Sequence, residues 1–211
     1  MGMIYLVRHG ETYWNVEGRI QGQTQTDLTP KGIEQSEWLA ECLKSKTIDR
    51  IICSELIRSQ KTAKQINIHH NLQLEINPKI NECSWGKWEG LTHIEVKQKY
   101  PDEYKSRKEN IWYFSPKNGE SYDDLYDRLY PVAFEFAAMA IAENLIIVSH
   151  AMVNKVLLGI FLDLPVEEII KIAHPNDVVY LISRSSDQWI VKHTHLEGSS
   201  VVKGYLKFIE I

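Results

Sequence analysis

Two arginines and two histidines stand where apolar runs of this chain end. Ile4–Val7 runs into Arg8-His9-Gly10. Ile51-Ile52-Cys53 passes through Ser54-Glu55-Leu56-Ile57 to Arg58, and Leu145–Val148 runs into Ser149-His150. If these runs are neighbouring parallel strands, the four side chains meet at one sheet edge and create a strong local positive field. A guanidinium fork grips phosphoryl oxygens in pairs, which an ammonium cannot do, so the set suits a phosphate dianion. A neutral imidazole with one bare nitrogen is a competent nucleophile at neutral pH. Blander readings stand beside these. His9 fits a strand-end histidine capped by a carbonyl, and Arg58 fits a surface partner for Glu55.

The elements that must position these groups are legible as patterns. Ile4–Val7, Ile48–Cys53, Leu145–Ser149 and Val178–Ile182 are apolar on successive residues, as in strands covered on both faces. Trp189–His195 alternates and reads as a strand nearer an edge. Thr29-Pro30 offers a helix N-cap followed by proline at the first helical position, with Ile33, Leu39, Ala40 and Leu43 on one face. Arg58–Ile68 reads as a helix. Ser121 with Asp124 forms a capping box ahead of Leu125, Leu129, Val132, Phe136 and Met139. Pro131 inside that pattern predicts a kink or two abutting helices. Strands alternating with helices predict a three-layer α/β/α fold with a mostly parallel central sheet, whose ligands gather beyond the strand C-termini. Residues from about 83 to 120 are rich in Trp, Tyr, Lys and Glu without a strong period. They read as an excursion over the ligand edge.

The 211 residues suit a single domain, 1–211. The formal net charge is −4 and no Lys/Arg block stands out, which argues against nucleic acid as a partner. Cys42, Cys53 and Cys83 form no CxxC pair, which suits a reducing compartment rather than a disulfide framework. No apolar run approaches about 18 residues and the stretch at 3–7 lacks a cleavage pattern, so neither a membrane span nor a leader is expected. The expectation is a cytoplasmic enzyme; a homodimer is left open.

The segment LVRHGETYWN resembles the signature of the histidine phosphatase superfamily, which includes cofactor-dependent phosphoglycerate mutases and many small-metabolite phosphatases. Further resemblance follows in order at GRIQGQTQTDLTPKG, CSELIRSQKTA, INECSWGKWEG, NGES and VSHAMV, covering residues 3–155. It implies a phosphoglycerate mutase-like fold and a metal-independent, cofactor-free reaction on a small phosphorylated metabolite. It also implies that His9 becomes a phosphohistidine, while Arg8, Arg58 and His150 hold the phosphoryl group. Glu82 would be the general acid and then the base, although Glu55, Glu75 and Glu89 are rival carboxylates in the sequence. Asn15, Gln21, Gly22 and Ala151 match positions that contact phosphate or substrate, and Gly10 is expected to let phosphate approach.

Departures from the family's pattern bear on the substrate. Ala151-Met152 stands where relatives commonly have Gly-Gly, and Lys155 where many have Arg. SWGKWEG in place of a HYG-type stretch favours a phosphatase over a mutase. A non-catalytic phospho-ligand binder is disfavoured because His9 and Glu82 are both present. His193 and His195 share a strand face without a third ligand at metal spacing, and resemblance assigns nothing to His174 or Asn176. Trp85, Trp88, Trp112, Tyr113 and Phe114 either line a substrate pocket or pack the excursion onto the sheet.

Overall fold

Six strands form one sheet in the order β3-β2-β4-β1-β5-β6, in a computed structural model that describes residues 2–185 and 188–195. The strands are β1 (Ile4–Arg8), β2 (Arg50–Cys53), β3 (Leu74–Ile76), β4 (Leu145–Ser149), β5 (Val178–Ser185) and β6 (Gln188–His195). The helices are α1 (Tyr13–Val16), α2 (Pro30–Leu43), α3 (Ile57–Asn67), α4 (His93–Lys99), α5 (Pro101–Glu109), α6 (Tyr122–Met139), α7 (Ala151–Phe161) and α8 (Val166–Ile169). β3, β2, β4 and β1 run parallel, whereas β5 pairs antiparallel with β1, and β6 antiparallel with β5 at the edge. The fold is therefore α/β in three layers with a mostly parallel sheet. Residues 196–211 of the predicted 1–211 domain and the side chain of His195 lie outside the described residues.

The strand pleat assigns each side chain to a layer. Ile4, Leu6, Ile52, Leu145 and Ile147 face the layer of α6 and α7, packing on Leu125, Leu129, Val132, Phe136, Val153 and Leu157. Tyr5, Val7, Ile51, Cys53, Ile146 and Val148 face α2 and α3, packing on Leu39, Leu43, Ala63 and Ile66. All five β4 residues are buried, which explains their unbroken apolar run. Burial of each large aliphatic side chain contributes about 1.5–3 kcal/mol.

Several local details differ from the sequence pattern. β2 starts at Arg50, because the amides of Asp49 and Arg50 both turn to the Asn144 carbonyl. Ile33 is 48% exposed. The face that α2 presents to the sheet carries Gly32, Gln35 and Ser36 instead, because its first turn packs against the main chain at Gly10 and Glu11. A Cβ on Gly10 would sit 2.2 Å from the Gly32 carbonyl oxygen. The absence of a side chain at Gly10 thus serves this helix contact. Helix α6 runs through Pro131 as one element. Pro131 and Asp127, whose carbonyl loses its helical donor, are both exposed, so water can replace the missing bond. The 83–120 segment holds α4, opened by a Thr92–Glu95 capping box, and α5, opened by Pro101. α5 buries no whole residue, and that is why it shows no period.

Candidate active site

The C-terminal ends of β1, β2 and β4 meet, as their polar exits require. Arg8 lies opposite Ser149 in the β1–β4 register, and the His9 amide donates to the Ser149 carbonyl at 3.1 Å. His9 and His150 are buried, with ring centroids 5.1 Å apart and planes at 55°. His9 Nδ1 lies 2.7 Å from the Gly10 carbonyl oxygen. A carbonyl can only accept, so the ring proton sits on Nδ1 and Nε2 is left as the bare nitrogen. Burial, then the charges of Arg58 and Arg8, hold His9 well below the ordinary imidazole value of 6.5. The neutral nucleophilic form is therefore the resting form at pH 7.

His150 is fixed from the other side. Its Nε2 lies 2.7 Å from Ser54 Oγ, which also accepts from the Leu56 amide at 3.3 Å. Satisfying the buried hydroxyl sends its proton to Nε2 and places the ring proton of neutral His150 on Nδ1. Burial and Arg58 hold His150 well below 6.5 as well.

Arg58, the second residue of α3, is fully buried. Its two terminal nitrogens donate to the carbonyls of Thr24 at 2.9 Å and Gly22 at 2.7 Å. Burial pulls its guanidinium down to about 10, while Glu82 opposes the shift, so the charge persists at neutral pH. Arg8 donates to the His174 carbonyl at 2.9 Å, and burial likewise lowers its value. Among the described residues, three buried side-chain N–H groups without a partner lie here: Arg8 Nε, Arg58 Nε and His150 Nδ1. Buried polar groups are ordinarily paired, so this concentration marks a site prepared for a polar ligand with acceptor oxygens.

The family that matches this chain is the histidine phosphatase superfamily (branch 1), over residues 4–196. The chain belongs to that superfamily. The phosphatase is 31% identical to the adenosylcobalamin/alpha-ribazole phosphatase of Escherichia coli (strain K12), over 78% of this chain and 81% of that protein. It is 33% identical to a 6-phosphofructo-2-kinase/fructose-2,6-bisphosphatase of Gallus gallus, over 79% of this chain but 34% of that longer protein. Its fold matches the crystal structure of the alpha-ribazole phosphatase from Shigella flexneri with a TM-score of 0.86 at 27% identity, covering 96% of this chain and 100% of that one. A mycobacterial glucosyl-3-phosphoglycerate phosphatase, solved with VO3, gives 0.80 at 27% identity, covering 90% and 97%.

Glu82 of the phosphatase sits in the loop between short 3-10 turns at Pro78–Ile80 and Gly86–Trp88. Its carboxylate accepts from the amides of Cys83 at 2.9 Å and Met152 at 3.4 Å, and its charge acts on Arg8 and Arg58. The rival carboxylates are engaged elsewhere. Glu75 pairs with Arg50, Glu55 accepts from Asn81, and Glu89 accepts from the Gln23–Thr24 amides. Arg58 does not pair with Glu55.

The remaining sequence-predicted positions make the following contacts. Asn15 Oδ1 caps α1 by accepting from Thr12, and Gln21 accepts from the Thr26 hydroxyl. Gly22 adopts φ +53° and turns its carbonyl to Arg58. Ala151 opens α7, so its amide belongs to the first helical turn, where no helix carbonyl is available. Lys155, one turn on, donates to the Ile170 carbonyl at 3.2 Å, and burial pulls its ammonium down to about 8.

Of the aromatic cluster, Trp88 and Trp112 are buried packing residues, stacked on Trp85 and Tyr122 respectively, while Tyr113 is 65% exposed. His193 is buried beside Tyr180, and among the described residues no three His, Cys, Asp or Glu side chains are grouped to hold a metal. Ser54, Asn176 and His174 were not assigned from sequence. Ser54 stood in the quoted CSELIR stretch. Asn176, whose Nδ2 donates to the His9 carbonyl at 2.6 Å, carries no local pattern that could have singled it out.

Proposed function

We propose that this phosphatase hydrolyses a small phosphorylated metabolite, a phosphomonoester, through a phosphohistidine on His9. The observation that carries the reading is the buried, neutral His9 ring, its proton held on Nδ1 by Gly10 and its bare Nε2 near the charges of buried Arg58 and half-buried Arg8. In the first step Nε2 attacks phosphorus and the P–O ester bond breaks. Glu82 gives its proton to the departing alcohol oxygen. Arg8, Arg58 and the Nδ1–H of His150 hold the equatorial oxygens and balance their charge, the contribution that dominates phosphoryl transfer. In the second step Glu82 takes a proton from water, the water oxygen attacks phosphorus and the P–N bond breaks. Inorganic phosphate leaves, and His9 is neutral again with Glu82 protonated.

The positive charge this chemistry needs is supplied by the two arginines, so the reaction is read as metal-independent and cofactor-free. Asn15, Gln21, Gly22 and Ala151 are read as bordering the phosphoryl site. Every group in the scheme comes from one chain, which we read as one domain, with its 83–120 segment bordering the leaving-group side. Three unpaired thiols fit a cytoplasmic setting.

The test is to trap the intermediate. Wild-type protein quenched during turnover of radiolabelled p-nitrophenyl phosphate should carry acid-labile, alkali-stable label on the His9 peptide. His9→Ala should lower phosphate release by about 1,000-fold or more, and a chelator should leave the rate unchanged. Undiminished hydrolysis by His9→Ala would sink the proposal.

A further inference from the structure

Glu89 belongs to the 83–120 segment, yet its carboxylate organises the distant loop at Gln23–Thr24. Oε1 accepts from the amides of Gln23 at 3.1 Å and Trp85 at 3.0 Å. Oε2 accepts from the Thr24 amide at 3.0 Å and the Thr24 hydroxyl at 2.5 Å. Main-chain bonds flank this contact, from Ile20 to the Leu91 carbonyl and from Gly90 to the Ile20 carbonyl. The same short loop turns its other polar side to the phosphoryl site, where the Gly22 and Thr24 carbonyls receive both terminal nitrogens of Arg58. Gly22 records how closely the parts fit. Its φ is +53°, and a Cβ there would lie 2.0 Å from Glu89 Oε1. Amide and carbonyl of a peptide unit are coplanar, so fixing the Gln23 and Thr24 amides also fixes the carbonyl of the residue before each. The Gly22 carbonyl follows directly from the Gln23 amide. That of Thr24 follows from a residue held at both amide and hydroxyl.

We propose that Glu89 is a positioning residue of this enzyme. By holding the Gln23–Thr24 amides it sets the two carbonyls that orient Arg58, and so joins the leaving-group segment to the phosphoryl clamp. The proposal rests on the reading that Arg58 holds the transferring phosphoryl group. Arg58 matters most where charge spreads over the phosphoryl oxygens, so a misoriented guanidinium weakens the transition state more than the bound substrate.

The test is a double-mutant cycle on p-nitrophenyl phosphate hydrolysis. Glu89→Ala should lower kcat by about 10- to 100-fold with a smaller change in KM. Vanadate inhibition should weaken in parallel with kcat, and inhibition by inorganic phosphate should weaken less. Glu89→Gln, which keeps one acceptor oxygen, should recover part of the loss. In an Arg58→Ala background, Glu89→Ala should cost little more. Thr24→Val, which removes only the hydroxyl bond to Oε2, should show a smaller loss with the same masking, and it serves if Glu89→Ala does not fold. Independent, multiplicative losses from Glu89 and Arg58 would overturn the positioning role alone. A silent Arg58→Ala would overturn the clamp reading and this inference with it.

Discussion

Replacing His174 should make the protein measurably less sensitive to acid. This ring is buried, donates from Nε2 to the Val178 carbonyl at 3.0 Å, and packs edge-on against Tyr180. Burial, with Arg8 nearby, pulls its value from 6.5 to about 3. Between those values the unfolded chain binds a proton at this position and the native chain does not. Stability therefore falls as the pH drops below 6.5 and levels off only below about 3. Integrated from pH 7 to pH 5, this one histidine costs about 2 kcal/mol. His9 and His150 are lowered in the same sense, so they add to the loss of stability in acid.

The assay is urea unfolding followed by tryptophan fluorescence at pH 7, 6 and 5, for wild type and His174→Gln. Whatever the variant loses at pH 7, its further loss down to pH 5 should be smaller than wild type's by about 2 kcal/mol. Equal acid-induced losses in the two proteins would refute the argument, because they would mean that His174 is protonated in the native state.

Ser54→Ala should lower kcat about 10-fold with little change in KM, because His150 loses the hydroxyl that fixes its tautomer; an unchanged kcat in phosphate-release assays would show that this bond does not set the ring. Pro131→Ala should stabilise the protein by about 1–3 kcal/mol by restoring the helical bond to the Asp127 carbonyl. Thermal unfolding measures this, and a lower Tm would mean that the proline serves the fold.

The strands were legible because burial on both faces leaves an unbroken apolar run, as in Leu145–Val148. β3 was not: Leu-Glu-Ile is three residues long at the sheet edge, with its glutamate turned to Arg50. Helices that bury a stripe, α2 and α6, announced themselves through caps and period. α5 buries no whole residue, so it leaves no period to read. The same division holds at the site. Arg8, Arg58 and His150 could be reached by following strands to their ends, since an exit from a parallel sheet is a position that sequence encodes locally. The groups that hold them could not. Asn176 meets the His9 carbonyl, and Glu89 meets Gln23 and Thr24, only because distant loops fold back on the sheet edge. Nothing in the residues flanking either announces that encounter.

β1 carries His9 at its exit and, among the described residues, pairs with β4 and β5, Ile4 facing Leu145 on one side and Ile182 on the other. During synthesis it therefore has no strand to pair with until about 140 further residues have been made, a wait of roughly ten seconds at ribosomal speed. The sheet's other end, β2 with β3, can form much earlier. An unpaired strand of Ile-Tyr-Leu-Val is sticky, and a nascent chain stalled before β4 would hold it open to chaperones or to aggregation. The same order gives a practical benefit. Catalytic activity can arise only once the late strands have closed around β1, so turnover itself reports that the sheet has been completed.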